Sequence, residues 1–237
     1  MTLQTPQPGV RVGEFFWIKW VLANTMGFAV GAAASSALHQ AIVRPLVGAA
    51  SGGVVAVISG ILSWVYAIFV AVAIGAAQWF FLRRRVGWAN SWFLATSLGW
   101  LASEFVAQSL AARLVTGALS PVSGAAIGVV PAVLVALPQW LILRRHVLRA
   151  GWWVAASIAG AAGGFVGYLA GYFGSIVVVW VITESVGEAW GMAVYAGLAS
   201  ATVGAAISAI TGVALMRLLK RPIPDTPLPP ASMILED

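Results

Sequence analysis

Charge is scarce in this sequence, and its scarcity excludes a soluble domain. Asp, Glu, Lys and Arg together make up 8% of the 237 residues, whereas soluble domains carry about a quarter. So few charges cannot cover a surface that faces water. The mean hydropathy is +0.94, and the apolar runs reach the roughly 20 residues that a helix needs to cross a bilayer. The composition predicts a polytopic membrane protein.

Cysteine is absent, which excludes disulfides, thiolate catalysis and cysteine-ligated metal sites. The sequence also lacks a Gly-x-Ser-Gly motif, a His-Glu-x-x-His motif, a phosphate-binding glycine loop and a paired carboxylate cluster. We therefore predict neither an enzyme nor a cofactor or metal site. The formal charge of +6 lies in short clusters between apolar runs, an arrangement that disfavours nucleic-acid binding.

Two sequence patterns recur along the chain. Gln-Trp-x-x-Leu-Arg occupies 78–83 and 139–144, and in a third unit Leu215 and Met216 replace Gln and Trp. Trp-x-x-Ala-[Asn/Thr/Ser]-x-x-Gly begins at Trp20, Trp92 and Trp153. Repeats of this kind predict repeated helical hairpins. We expect an all-α bundle of six transmembrane helices, arranged as three parallel-repeat hairpins about a pseudo-three-fold axis.

The hairpins are predicted at residues 15–86, 87–150 and 151–221. A cytoplasmic segment, 1–14, precedes them, and a proline-rich tail, 222–237, is expected to be disordered. Pro45 suits the first turn of helix 2, and Pro121 suits that of helix 4. The spacing of Ser185 and Glu188 is that of a capping box for helix 6.

Basic residues predict the orientation. With six spans, eleven of the 13 lysines and arginines fall on one side, and only Arg44 and Arg113 fall on the other. This bias places both termini in the cytoplasm. The clusters after each hairpin are expected to contact anionic lipid headgroups. Their members are Arg83, Arg84, Arg85, Arg144, Arg145, Arg149, Lys220 and Arg221.

The two recurring patterns resemble those of a group of uncharacterised bacterial multi-pass membrane proteins. The resemblance covers about residues 15–221, and the third unit departs from it at Leu215 and Met216. It implies a repeat protein of the bacterial inner (plasma) membrane, and it implies no activity or catalytic residue.

Polar residues near the cytoplasmic ends are predicted to bridge the hairpins. An amide in hydrocarbon needs hydrogen-bond partners, and interhelical bonds of this kind stabilise by about 0.6–2 kcal/mol each. The tryptophans beside these residues are expected at the membrane interface. The predicted interhelical polar layer consists of Asn24, Gln78, Thr96, Gln139 and Ser157.

Glu104 is the intramembrane ionisable residue. It lies twelve residues beyond Trp92, or about 18 Å along a helix and past the midplane of a roughly 30 Å core. Carboxylates at that depth are candidates for functional sites, and Gln108 shares its helix face. A proton- or cation-handling role and a neutral, hydrogen-bonded carboxyl remain equal alternatives.

Composition and repeats together favour a non-enzymatic integral membrane protein with a structural or accessory role. Pairs of small residues, such as Gly27 and Gly31, let helices approach closely. We expect such glycine-rich faces also to pack against other membrane proteins or against a second copy of the chain. The alternative is a small transporter or channel whose path Glu104 lines.

Overall fold

The structure, a computed structural model, describes residues 15–45, 52–114 and 121–221. The predicted N-terminal segment and proline-rich tail lie outside these residues, as does the side chain of Arg113. Six long helices make up the described chain. They are α1 Phe16–Leu38, α2 Gly52–Leu82, α3 Ala89–Leu114, α4 Pro121–Leu143, α5 Gly151–Val186 and α6 Glu188–Leu219. The all-helical prediction is confirmed for this part of the chain.

The helices form a closed ring. Each packs against the helix before it and the helix after it, and α6 packs against α1. The beginnings of α1, α3 and α5 meet the ends of α2, α4 and α6 in one apolar cluster that includes Phe16, Leu82, Leu143 and Leu219. Because the basic clusters adjoin these helix ends, we call this the basic end of the ring.

Within the described residues, four helices are long and apolar enough to cross a membrane. The qualifying stretches are Phe16–Ile42, Gly60–Leu82, Gly151–Ile176 and Trp190–Leu219. They fit the predicted class, a membrane protein with several transmembrane helices. In α4 a shorter apolar stretch, Val129–Leu143, stands out. The α3 sequence is interrupted by polar residues, including Thr96, Ser103 and Glu104, which lower its hydropathy.

One predicted helix start is wrong. The proposed capping box fails, because α5 runs on past Ser185 to Val186. The break falls at Gly187, whose φ of 86° suits a residue without a Cβ. Pro45 is helical, just after the π-helical segment His39–Val43, and the residues that join it to Gly52 lie outside the described residues. The α4 helix does begin at Pro121.

Glycines that recur along α1, α3 and α5, which we call the glycine stripes, lie inside the ring against neighbouring helices. A Cβ on Gly31 would lie 2.9 Å from the Cα of Val70 in α2, and one on Gly99 would lie 2.9 Å from the Cα of Val135 in α4. In α5, a Cβ on Gly167 would lie 2.7 Å from the carbonyl oxygen of Thr202 in α6. Each stripe therefore faces the second helix of its own hairpin. The sequence predicts that these faces pack against other membrane proteins or a second copy, whereas in the structure the named glycines lie against helices of the same chain.

We expect Gly99→Ala to destabilise the fold by about 1–3 kcal/mol, because the added methyl group pushes α3 away from α4. Gly60→Ala is the matched control, since nothing lies within 4 Å of a Cβ at that position. It should be neutral or stabilise by up to about 1 kcal/mol through helix propensity. Unfolding of both variants in one detergent measures the difference. Equal stabilities would contradict close packing at Gly99.

Candidate functional site

A buried hydrogen-bonded layer crosses the ring near its basic end, and Gln78 is its centre. The Gln78 Nε2 donates to Asn24 Oδ1 of α1 at 2.7 Å. The Gln78 Oε1 accepts from Trp92 Nε1 at 2.7 Å and from Thr96 Oγ1 at 3.0 Å, both in α3. The Gln78 amide of α2 thereby joins α1 to α3.

Gln139 repeats the arrangement one hairpin later. Its Nε2 donates to Thr96 Oγ1 at 2.8 Å, and its Oε1 accepts from Trp153 Nε1 at 3.0 Å. Each glutamine thus accepts the indole N–H of a tryptophan 14 residues further on. Thr96 links the two amides, so that hydrogen bonds run without interruption from α1 to α5.

In the third unit a threonine, not a glutamine, accepts the indole N–H of a tryptophan. Leu215, which aligns with the glutamines, is buried in the apolar cluster and has no polar group. One helical turn earlier, Thr211 Oγ1 accepts the indole N–H of Trp20 at 3.4 Å. Ser157 does not bridge helices, because its hydroxyl donates to its own helix at Trp153 O, 2.9 Å away. The structure therefore brings four of the five predicted residues together and leaves Ser157 aside.

Three tryptophans belong to this layer rather than to a membrane belt. Trp20, Trp92 and Trp153 are only 1%, 0% and 2% exposed. Trp92 makes edge-to-face contacts with Trp20 at 6.4 Å and with Trp153 at 5.3 Å between ring centroids. They are therefore not exposed belt residues, because each indole N–H donates to a buried acceptor in a neighbouring helix. We call the combined set the amide–indole layer. It comprises Trp20, Asn24, Gln78, Trp92, Thr96, Gln139, Trp153 and Thr211.

Exposed cations surround the basic end. The guanidinium of Arg83 lies 4.7 Å from the Trp79 ring centroid, and that of Arg144 lies 5.2 Å from the Trp140 ring centroid. The Arg85 guanidinium donates to Phe81 O at 2.7 Å and is half-buried. The other predicted lipid-contact residues remain exposed: Arg83, Arg84, Arg144, Arg145, Arg149, Lys220 and Arg221.

His146 lies among these cations in the loop after α4. Its ring stacks on Trp88 with centroids 5.5 Å apart. Partial burial and the neighbouring Arg145 lower the pKa of His146 from its ordinary value. The neutral imidazole is therefore favoured beside the arginines, which keeps the stacked ring from adding to their mutual repulsion.

A central cavity of about 350 Å³ lies on the inner side of the amide–indole layer, away from the basic end, and all six helices line it. Asn24, Gln78 and Gln139 lie at its floor, whereas its walls are mostly apolar and include Phe28 and Trp100. Phe165 and Tyr168 also line it, yet they are 64% and 48% exposed. The cavity therefore reaches the outer surface of the ring beside α5.

Glu104 lies beyond the central cavity, in the wall shared by two further chambers. The middle chamber, about 210 Å³, shares Phe28, Trp100 and Val203 with the central cavity. The outer chamber, about 510 Å³, shares Glu104 and Tyr66 with the middle one. Three chambers thus follow one another through the ring.

Gln108 contacts Glu104, as their spacing predicts. The Gln108 Nε2 donates to Glu104 Oε1 at 3.0 Å. Tyr66 and Trp100, which sequence reasoning missed, also line the chambers beside Glu104. No sequence motif predicts that either residue lines a chamber, since a lone aromatic residue in an apolar helix resembles any core side chain.

Comparison of the chain with protein-family models, with curated proteins and with solved structures finds no match.

We expect Gln78→Leu to destabilise the protein by about 1–3 kcal/mol, because it leaves the Trp92 indole and the Thr96 hydroxyl without their buried acceptor. Gln139→Leu should cost less, since Gln139 accepts one side-chain bond where Gln78 accepts two. Asn90→Ala is the control: it removes an exposed acceptor of the Trp79 indole and should change stability little. Unfolding in one detergent ranks the three variants, and the opposite order would refute the central role of Gln78.

Proposed function

We propose that this chain is a non-enzymatic integral membrane protein that holds a small lipid-soluble molecule inside its ring of helices. The central cavity supports the proposal, because all six helices line it and the amide–indole layer closes its floor. Its volume of about 350 Å³ falls within the roughly 300–1,000 Å³ that small-molecule sites occupy. Its opening beside Phe165 and Tyr168 would admit a ligand from the bilayer.

The floor also indicates which polar group the ligand carries. Among the described residues, the amide nitrogens of Asn24, Gln78 and Gln139 each donate one hydrogen bond, although a side-chain amide has two N–H groups. The second hydrogen of each amide can pair with an acceptor group of the ligand. The apolar walls above the floor suit a ligand with a hydrocarbon body. A lipid-soluble molecule with a terminal carbonyl group satisfies both.

Ala161→Phe should abolish binding, because Ala161 lines the cavity and a phenyl ring would fill the space. Ala162→Phe is the matched control, since the next residue of the same helix is exposed and outside the lining. Mass spectrometry of solvent extracts from the purified proteins gives the readout. We expect a stoichiometric apolar compound from the wild type and Ala162→Phe, and its loss from Ala161→Phe. An empty wild type, or retention by Ala161→Phe, would refute the proposal.

The proposed setting is a bacterial inner membrane with all six helices spanning it as three repeated hairpins about a pseudo-three-fold axis. The basic end would face the cytoplasm, as the positive-inside rule requires. There the exposed arginines could reach anionic lipid headgroups, each worth about 1 kcal/mol near a charged surface. The ion pair of Arg44 with Glu188, 2.8 Å apart, would lie at the opposite face.

An accessory role beside other membrane proteins, or in a homo-oligomer, has to use other surfaces than the glycine stripes. Those stripes contact the partner helix of each hairpin. Large apolar side chains on the outer face of α5, such as Phe173 and Trp180, are exposed. In a bilayer such side chains meet lipid as readily as protein, so ligand binding is the better supported role.

A second candidate function is a small transporter or channel that moves protons or cations past Glu104. The succession of three chambers favours it, since Glu104 lies in the wall between the outer two. The amide–indole layer and the apolar cluster close the route at the basic end. Such a route would therefore be open from one side only, as in one state of an alternating-access cycle.

If Glu104 carries ions, Glu104→Gln should abolish proton- or cation-dependent flux into proteoliposomes, because the amide cannot take up a proton or balance a cation. Glu184→Gln removes the same charge from an exposed position and should leave flux intact. A fluorescent pH or cation indicator inside the vesicles reports the rates. Wild-type flux in Glu104→Gln would exclude Glu104 from the route.

A further inference from the structure

The outer chamber combines features that the central cavity lacks. The chamber lies among α1, α2, α3, α6 and the π-helical segment after α1, and its volume is about 510 Å³. Glu104 contributes a carboxyl group, Ser35 and Ser36 contribute hydroxyl groups, and Tyr66 and Tyr195 contribute aromatic rings. Among its described lining residues there is no lysine or arginine. The formal charge of this wall is therefore negative when Glu104 is ionised and His39, which also lines the chamber, is neutral.

Gln40 adds an acceptor without a donor. Its side chain lines the chamber, and its Oε1 is buried and has no hydrogen-bond partner among the described residues. An unpaired buried carbonyl is costly, at about 1–3 kcal/mol. Gln40 belongs to the π-helical segment His39–Val43, and π-helical turns occur frequently at functional sites. Because Gln40 Oε1 is buried, its amide has to turn toward the chamber before the carbonyl can join the Glu104 carboxylate as an acceptor for a ligand that is itself a donor.

We propose that the outer chamber binds a small organic molecule through its primary ammonium group. Glu104 balances the charge and accepts one N–H, Gln40 Oε1 accepts another once its amide has turned toward the chamber, and the rings of Tyr66 and Tyr195 offer their faces to the cation. Ammonium groups are attracted to aromatic faces at about 0.5–2 kcal/mol each. The proposal concerns a chamber other than the central cavity and does not depend on transport.

The size and chemistry of the chamber favour a primary amine over other cations. A metal ion needs a compact shell of oxygen ligands at about 2–2.6 Å, whereas about 510 Å³ accommodates an organic body as well. A quaternary ammonium ion has no N–H and leaves Gln40 Oε1 unpaired. Arg44, which follows the π-helical segment, is paired with Glu188 at 2.8 Å. Besides Glu104, the described lining of the chamber contains one further histidine or acidic residue, His39.

Isothermal titration calorimetry of the full chain in lipid nanodiscs tests the proposal. The probe is n-butylammonium, compared with sodium, tetraethylammonium and neutral butanol at equal ionic strength. We expect saturable binding of n-butylammonium, at least about tenfold weaker binding of the other three, and a loss of about tenfold or more in Glu104→Gln. No binding, or equal binding of sodium or tetraethylammonium, would overturn the proposal.

Three further variants separate the site from general effects. Gln40→Leu removes the unpaired carbonyl without touching the charge and should weaken binding several-fold, which keeps the test valid if Glu104→Gln fails to fold. Glu184→Gln should bind like the wild type, since Glu184 does not line the chamber. Ala161→Phe, which fills the central cavity, should also bind normally. Wild-type affinity in Gln40→Leu, or an equal loss in Glu184→Gln, would count against an ammonium site.

Discussion

The hydrogen bonds between buried amides and buried indoles are the constraint on which the rest of this structure depends. A glutamine inside hydrocarbon must find partners, and Gln78 and Gln139 find them on the helices on either side. Because each indole N–H donates to an acceptor on a neighbouring helix, the helices cannot slide or rotate past one another without breaking several bonds. The layer therefore sets the register of α1 to α5, and Thr211 extends it from α6 back to α1.

The layer also divides the molecule into two chemically different ends. On one side, the aromatic and leucine cluster fills the ring and the arginines surround it. On the other side, the helices enclose chambers instead of a solid core. A closed ring of six helices has a central space that side chains must either fill or leave open. Large tryptophans fill it at the basic end, whereas small residues such as Ala132, Ala161 and Gly164 leave it open above the floor.

The central cavity and the outer chamber differ in the groups that they offer a ligand, so each suits a different kind of molecule. The central cavity presents apolar walls and amide N–H donors, so it suits an acceptor on a hydrocarbon body. The outer chamber presents a carboxylate, hydroxyls and an unpaired carbonyl, so it suits a donor with positive charge. Glu104 is oriented by Gln108 at 3.0 Å and stands where the second chamber meets the third. Its placement makes it relevant to either a binding or a transport role.

The sequence by itself determined the helical class, the number of long helices, the residues near the basic end and most members of the polar layer. Composition and the spacing of repeated motifs report these features directly, because they depend on local periodicity and on the cost of polar groups in lipid. Only the tertiary structure decided that three tryptophans, Trp20, Trp92 and Trp153, are buried donors. It also decided that Thr211 takes the place of the missing glutamine as an acceptor. The glycine stripes, finally, lie against the second helix of their own hairpins. Those outcomes depend on which helix faces which across the ring, and on where the ring leaves space, and no single helix encodes either.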